Sequence, residues 1–219
     1  MGVILASAII TKAQTIIQDA TGVRWPEAEL LGWINEGQRE IVLLKPDSSV
    51  RNESKILIAG TKQSIPADGI VLISVVRNMG TTGTSPGKAV RSINRQILDE
   101  QVPDWHAATT DASAAYCVYD GRNPKVFYVY PPQPAVSPGY VELIYSAAPA
   151  DMATVSSAIT LDDIYSGSLL DYCLFRAYSK DANYAGNNER AMAHYQKFVE
   201  TLSLKEKIEG ATEMTSGER

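Results

Sequence analysis

The feature that most constrains this chain is a change of hydrophobic period, from helical to strand-like and back to helical. Ile9, Ile10, Ala13, Ile16, Ile17 and Ala20 recur at helical spacing. That predicts an amphipathic helix over 6–20, closed by Thr21-Gly22. A second helix is expected from Trp25-Pro26. Pro26 suits the first helical position, and Glu27 and Glu29 suit the positive end of the helix dipole. Leu30, Ile34, Gly37, Ile41 and Leu44 then form one stripe, which Lys45-Pro46 stops. A short turn between the two predicts an antiparallel hairpin.

From about Lys55 the pattern becomes that of strands, expected at 55–59, 64–65, 70–76, 115–119, 125–130 and 140–145. The breakers Asp120-Gly121, Asn123-Pro124, Pro131-Pro132 and Pro138-Gly139 separate them at the spacing of a β-sandwich or barrel. Residues 92–101 fit a strand or a short helix equally well. After Pro149 the helical period returns. Ile164, Tyr165, Leu169, Tyr172, Cys173, Arg176 and Ala177 mark one helix, with Asp162 or Asp163 as its cap. Beyond the break at Gly186-Asn187-Asn188, Ala191, Tyr195, Phe198 and Leu202 mark another.

The expectation is an α+β fold. A helix hairpin spans 1–48, a β domain 49–150 and a C-terminal helix pair 151–204, with an extended tail over 205–219. The two helix pairs should form one antiparallel bundle with the β-sandwich or barrel-like region inserted, and Trp25, Leu30, Ile34, Ile41 and Tyr172 should share its core. The tail offers only Ile208 and Met214 as sizeable apolar side chains. Burying two such side chains returns roughly 3–6 kcal/mol, against about 15–30 kcal/mol to fix the backbone of such a segment. The tail is therefore expected to order only against a partner.

Composition narrows function by exclusion. Apolar residues make up 45% and charged residues 21%, ordinary for a globular chain, and the net charge of -5 argues against a general nucleic-acid binder. The opening MGVILASAII lacks a basic flank and is too short to span a bilayer, and Ala6 stands where a myristoylation signal needs Ser or Thr. No membrane association is expected. Cys117 and Cys173 lack a metal-type spacing and fit buried free thiols.

Candidate chemistry fails on inspection. The loop from Gly80 to Lys88 has a phosphate-loop flavour, but Thr82 stands at the first glycine position and Ala89 replaces the magnesium-binding hydroxyl. His106, near Asp104, has no activated nucleophile, His194 lies near an apolar helical stripe, and no clustered His/Cys pattern exists. No catalytic residue, cofactor site or metal site is expected.

Two features exceed a bland reading. Val126-Phe-Tyr-Val-Tyr130 is apolar on both faces, which fits a strand covered twice within one subunit or an inter-subunit face. From Gly69 to Leu98 the charged residues are Arg77, Lys88, Arg91 and Arg95, with no acid among them, while Asp99, Glu100 and Asp104 follow directly. In a ring, such asymmetry would let one subunit's basic edge meet its neighbour's acidic edge.

The run Trp25-Pro-Glu-Ala-Glu-Leu-Leu-Gly-Trp-Ile-Asn-Glu-Gly-Gln-Arg-Glu-Ile-Val42, then Lys45-Pro-Asp47, resembles the opening of short-tailed phage head-to-tail adaptors, akin to tail tubular protein A. So do Ile65-Pro-Ala-Asp-Gly69, Val102-Pro-Asp-Trp-His106, Arg122 through Pro131, Tyr145 through Ala150, and Leu161-Asp-Asp-Ile-Tyr165 with the helices after it. The resemblance runs nearly end to end. It implies a structural virion protein of the tail or neck, assembled in the host cytoplasm. Its partners would be the portal protein, the tail nozzle protein, tail fibre or tailspike anchors, and its own copies in a dodecameric ring. DNA would pass through the lumen without specific binding. Interface residues expected on this basis and from the charge pattern are Arg77, Lys88, Arg91, Arg95, Trp105, Lys205, Lys207, Ile208, Met214 and Arg219. The alternatives are another neck or connector virion protein, or a β-sandwich glycan-binding module with Trp105 and Asp104 as the nearest thing to a platform.

Overall fold

The computed structural model describes the backbone of residues 2–181, 183–184 and 186–216, and side chains within these as far as Ser203. The fold is α+β and divides into two compact units, one of residues up to Ser48 and from Pro149 onward, the other Ser49–Ala148.

The first unit contains α1 (Ala6–Ile16), α2 (Glu27–Leu44), α4 (Ser166–Lys180) and α5 (Asn187–Ser216). Helix α4 packs against each of the other three. Leu30, Ile34, Ile41, Trp25 and Tyr172 are all buried. Gly37 lets α4 approach, since a Cβ there would meet the Tyr172 ring at 3.0 Å. Two sequence expectations shift here. Helix α1 stops at Ile16, not Ala20, because Gln18 takes the left-handed conformation at φ 58°. The Gln18 and Asp19 N–H groups turn back to the Thr15 and Gln14 carbonyls, a Schellman closure built without glycine. Pro26 caps α2 from outside rather than opening it.

Past that closure, the Asp19 carboxylate accepts the backbone N–H groups of Val23, Arg24 and Trp25 at 2.9–3.0 Å. The Trp25 bond is the largest of the influences that hold its pKa below the ordinary 3.8. A lowered carboxylate pKa stabilises the loop above the ordinary value, and that contribution disappears as pH falls through the folded one. The Val23, Arg24 and Trp25 amide resonances should therefore hold on acidification past pH 3.8, then shift together, and the shared step should vanish in Asp19→Asn. A step centred at 3.8 would contradict this arrangement.

Buried amide side chains replace sequence-visible turn signals elsewhere in the unit. Asn35 exchanges two hydrogen bonds with the Met152 backbone, and Gln38 Oε1 accepts from Thr160 and Leu161. Asp162 caps Ile164 while Asp163 accepts from Val3 and Ile4, so the two aspartates divide their work. His194 pairs with the buried Asp171 across α4 and α5, joined by Lys197. Helix α5 continues to Ser216 where an extended tail was expected from 205. Glu, Lys, Ala and Met are strong helix formers and no proline interrupts them, so backbone propensity carries the helix on.

The second unit is a two-sheet sandwich. Strands β1 (Val50–Ile56), β7 (Tyr140–Ala147) and β3 (Gly69–Asn78) form one sheet in that order. Strands β2 (Gly60–Ser64), β6 (Val126–Gln133), β5 (Tyr116–Tyr119) and β4 (Arg91–Ser92) form the other. Leu72, Val75, Val141, Leu143 and Tyr145 from the first meet Cys117, Phe127 and Val129 from the second in one core. Burial pushes the thiols of Cys117 and, in the other unit, Cys173 up to about 12, and both are free. The undecided stretch 92–101 splits into β4 and α3 (Arg95–Gln101), with Asn94 as the cap accepting from Gln96.

Strand β1 begins earlier than expected because Arg51, Asn52, Glu53 and Ser54 show no apolar alternation. Arg51, Glu53 and Lys55 stand opposite the core residues Tyr145, Leu143 and Val141 of β7, so β1 points charges inward past the core, a device that blunts an edge strand. Strand β6 runs through Pro131-Pro132, a pair expected to break it. Its ladder with β5 ends at the Tyr116–Tyr130 pair, so the prolines lack N–H groups only beyond that ladder.

Candidate assembly surface

The surface features of the β unit follow from how residues 88–106 cross it. Val76 and Asn78 pair with Val90 and Lys88 at the edge of the first sheet, and from the very next residue Arg91 and Ile93 donate to Ala115 and Cys117 of the second. One short segment thus closes this side of the sandwich. Asn78 is the fastener. Its Nδ2 donates to the Lys88 and Ala114 carbonyls, and its Oδ1 accepts from the Ala114 N–H, at 2.8–2.9 Å. Beside it Gln133 bonds the Asp111 carbonyl and the Gly139 N–H. Gly139 is obligatory, because a Cβ would meet the Ala112 carbonyl oxygen at 1.8 Å.

This corner carries a groove of about 490 Å³ lined in part by Lys88, Arg91, Asp111, Ser113 and Tyr116. Lys88 and Arg91 are exposed and make no ion pair among the described residues. From the corner, α3 crosses the outer face of the second sheet. Leu98, Trp105 and Val118 form a small second core there, joined by Tyr128 and Tyr130. The segment ends at β2, where His106 Nδ1 lies 2.8 Å from Thr61 Oγ1. Glu100 and Asp104 are exposed near this end.

The predicted interface residues separate accordingly. Lys88 and Arg91 are free for a partner. Arg77 is committed to Glu142, which also accepts from Asn52 and whose pKa is lowered first by that Asn52 bond and then by Arg77. Arg95 pairs with Asp99 one helical turn on, at 3.2 Å and in the open, so that pair leaves Arg95 available. Trp105 is a correction: it is 1% exposed, stacks on His106 and donates to Asp99 Oδ1 at 2.8 Å. It fills the chain's own second core and cannot also reach a partner or a glycan. The two-faced apolar strand has the same explanation, with Phe127 and Val129 in the main core and Tyr128 and Tyr130 under α3. Lys205, Lys207, Ile208 and Met214 lie on the α5 backbone with side chains outside the described residues, and Arg219 lies outside them altogether.

The buried amides Asn78 and Gln133, which shape the corner, are missed by sequence reasoning, since nothing local distinguishes them from exposed amides. Among the described residues no group of three His, Cys, Asp or Glu could hold a metal ion, and no helix is long and apolar enough to cross a membrane.

No curated protein matches the chain. Residues 5–218 match the family of the SU10 adaptor protein, and the chain belongs to that family, one of phage head-to-tail adaptors.

Proposed function

We propose that this chain builds a ring between the portal and the tail nozzle of a short-tailed phage, a dodecamer whose lumen passes DNA from head to tail. The observation that carries this reading is the reach of the family match, which runs from residue 5 to residue 218 and so takes in both units. A structural role in the virion follows from the family. The net charge of -5 suits a channel, because a wall that neutralises no phosphates releases no counterions and does not hold DNA back. Tail fibre or tailspike anchors would attach on the outside of such a ring.

Purified chain mixed with its portal should appear in negative stain as a ring stacked on the portal, and lone monomers beside bare portals would overturn the proposal. The segment from 205 onward is the proposed portal contact. The last buried side chains described in α5 are Phe198 and Leu202, so truncation after Leu204 keeps every buried side chain described in that helix. The truncated chain is expected to fold and to lose attachment. Undiminished attachment would remove the segment from the interface.

A further inference from the structure

Two sides of the β unit differ in ways that fit each other. One side is the closed corner, where Lys88 and Arg91 flank the groove and Arg95 opens α3. The other is an open seam, because β1 and β2 are terminal strands of their sheets, joined by a three-residue turn. Neither has a further strand on its outer side, and Ile56 before the turn and Ile58 within it are 46% and 58% exposed. Open edges with exposed isoleucines are what proteins cover or blunt. Charge is distributed along α3 to match. Its first residue is Arg95, its last turn holds Glu100, and Asp104 follows before His106 reaches β2. The seam strands themselves carry Arg51, Glu53, Lys55 and Lys62, so the acids available to a basic partner are Glu53 and, at the α3 end, Glu100 and Asp104.

We infer that the basic corner of one copy, through Lys88 and Arg91, docks on the seam of the next copy beside Glu100 and Asp104. The two surfaces lie on opposite sides of one unit, so the contact is head-to-tail and repeats from copy to copy, closing a ring when the rotation allows. The inference rests on the ring proposed above and supplies its lateral contact.

Charge exchange tests it. A corner variant, Lys88→Glu with Arg91→Glu, would bring acidic side chains to Glu100 and Asp104 of the next copy. A seam variant, Glu100→Lys with Asp104→Lys, would bring basic side chains to Lys88 and Arg91 of the neighbouring copy. All four side chains are exposed, so circular dichroism should be unchanged. Sedimentation, alone and on portal particles, should show each variant needing roughly tenfold or more protein to associate, because like charges meet across the contact. Mixed in equal amounts, the two should co-assemble, and one chain carrying all four substitutions should assemble by itself. Assembly of either variant at the wild-type concentration, or a mixture that stays apart, would overturn the contact. If wild type stacks on portal while that happens, the adaptor reading stands and only this contact falls. If wild type neither associates nor attaches, both fall.

Discussion

Trp105→Ala should destabilise the β unit by about 3–5 kcal/mol, the range for removing a fully buried large aromatic. The side chain is 1% exposed and packs with Leu98 and Val118 over Tyr128, with ring centroids of Trp105 and Tyr128 6.1 Å apart. Removing it uncovers the outer face of β5 and β6 and frees α3. The loss should be read as faster amide exchange at Cys117 and Tyr128, since two compact units make a single unfolding midpoint ambiguous. Trp105→Phe keeps most of the packing and loses only the bond to Asp99, at a cost of about 1 kcal/mol. Were Trp105 a partner contact, assembly would suffer while exchange stayed as in wild type. A stability loss under about 1 kcal/mol for the alanine variant would rule out the second core as described.

Asn78→Ala should cost about 2 kcal/mol or more, with each buried group left unpaired contributing about 1–3 kcal/mol. Two backbone groups lose their partner, the Ala114 N–H and the Ala114 carbonyl, while the Lys88 carbonyl keeps the backbone N–H of residue 78. Asn78→Asp should do no better, because a carboxylate cannot donate to two carbonyls. The effect should be local first, seen as loss of protection at Ala114. It should also weaken assembly without altering any surface charge, since Lys88 and Arg91 sit on the released segment. Full protection at Ala114 in the alanine variant would show that another group holds the corner.

Much of the fold was legible because burial imposes a period. The helical stripe through Leu30, Ile34 and Ile41 and the apolar run 70–76 announce α2 and β3 without any tertiary knowledge. The α+β class follows from the change between those periods. Where burial is absent the sequence is silent, and β1, five of whose seven residues are polar, was placed late for that reason. Local signals also lost to tertiary ones. Thr21-Gly22 is the end of α1 that local signals favour, yet Gln18 closes the helix and Asp19 organises the following loop. The charge asymmetry was visible, but not that Arg77 and Arg95 have acidic partners of their own. Trp105 beside Asp104 has the sequence of a surface platform, and only the fold shows the ring packed with Leu98 onto Tyr128 of β6. The family resemblance, by contrast, lay in ordered short motifs, and the match over residues 5–218 upholds it.

Apart from the turns that Asp19 and Asp163 hold, several loops of this protein are fastened by neutral groups. Asn35, Gln38, Gln63, Asn78 and Gln133 are all buried, and each ties backbone segments together through an amide that neither titrates nor feels ionic strength. Ion pairs such as Arg51–Asp68 and Lys180–Glu29 lie on the surface, where screening them removes little. In the ring proposed above, sodium chloride should therefore act on the charged contact between copies and leave each copy intact. A ring held in this way could be taken apart by brine and rebuilt by dialysis from the same molecules, a reversible component rather than one consumed by its first use.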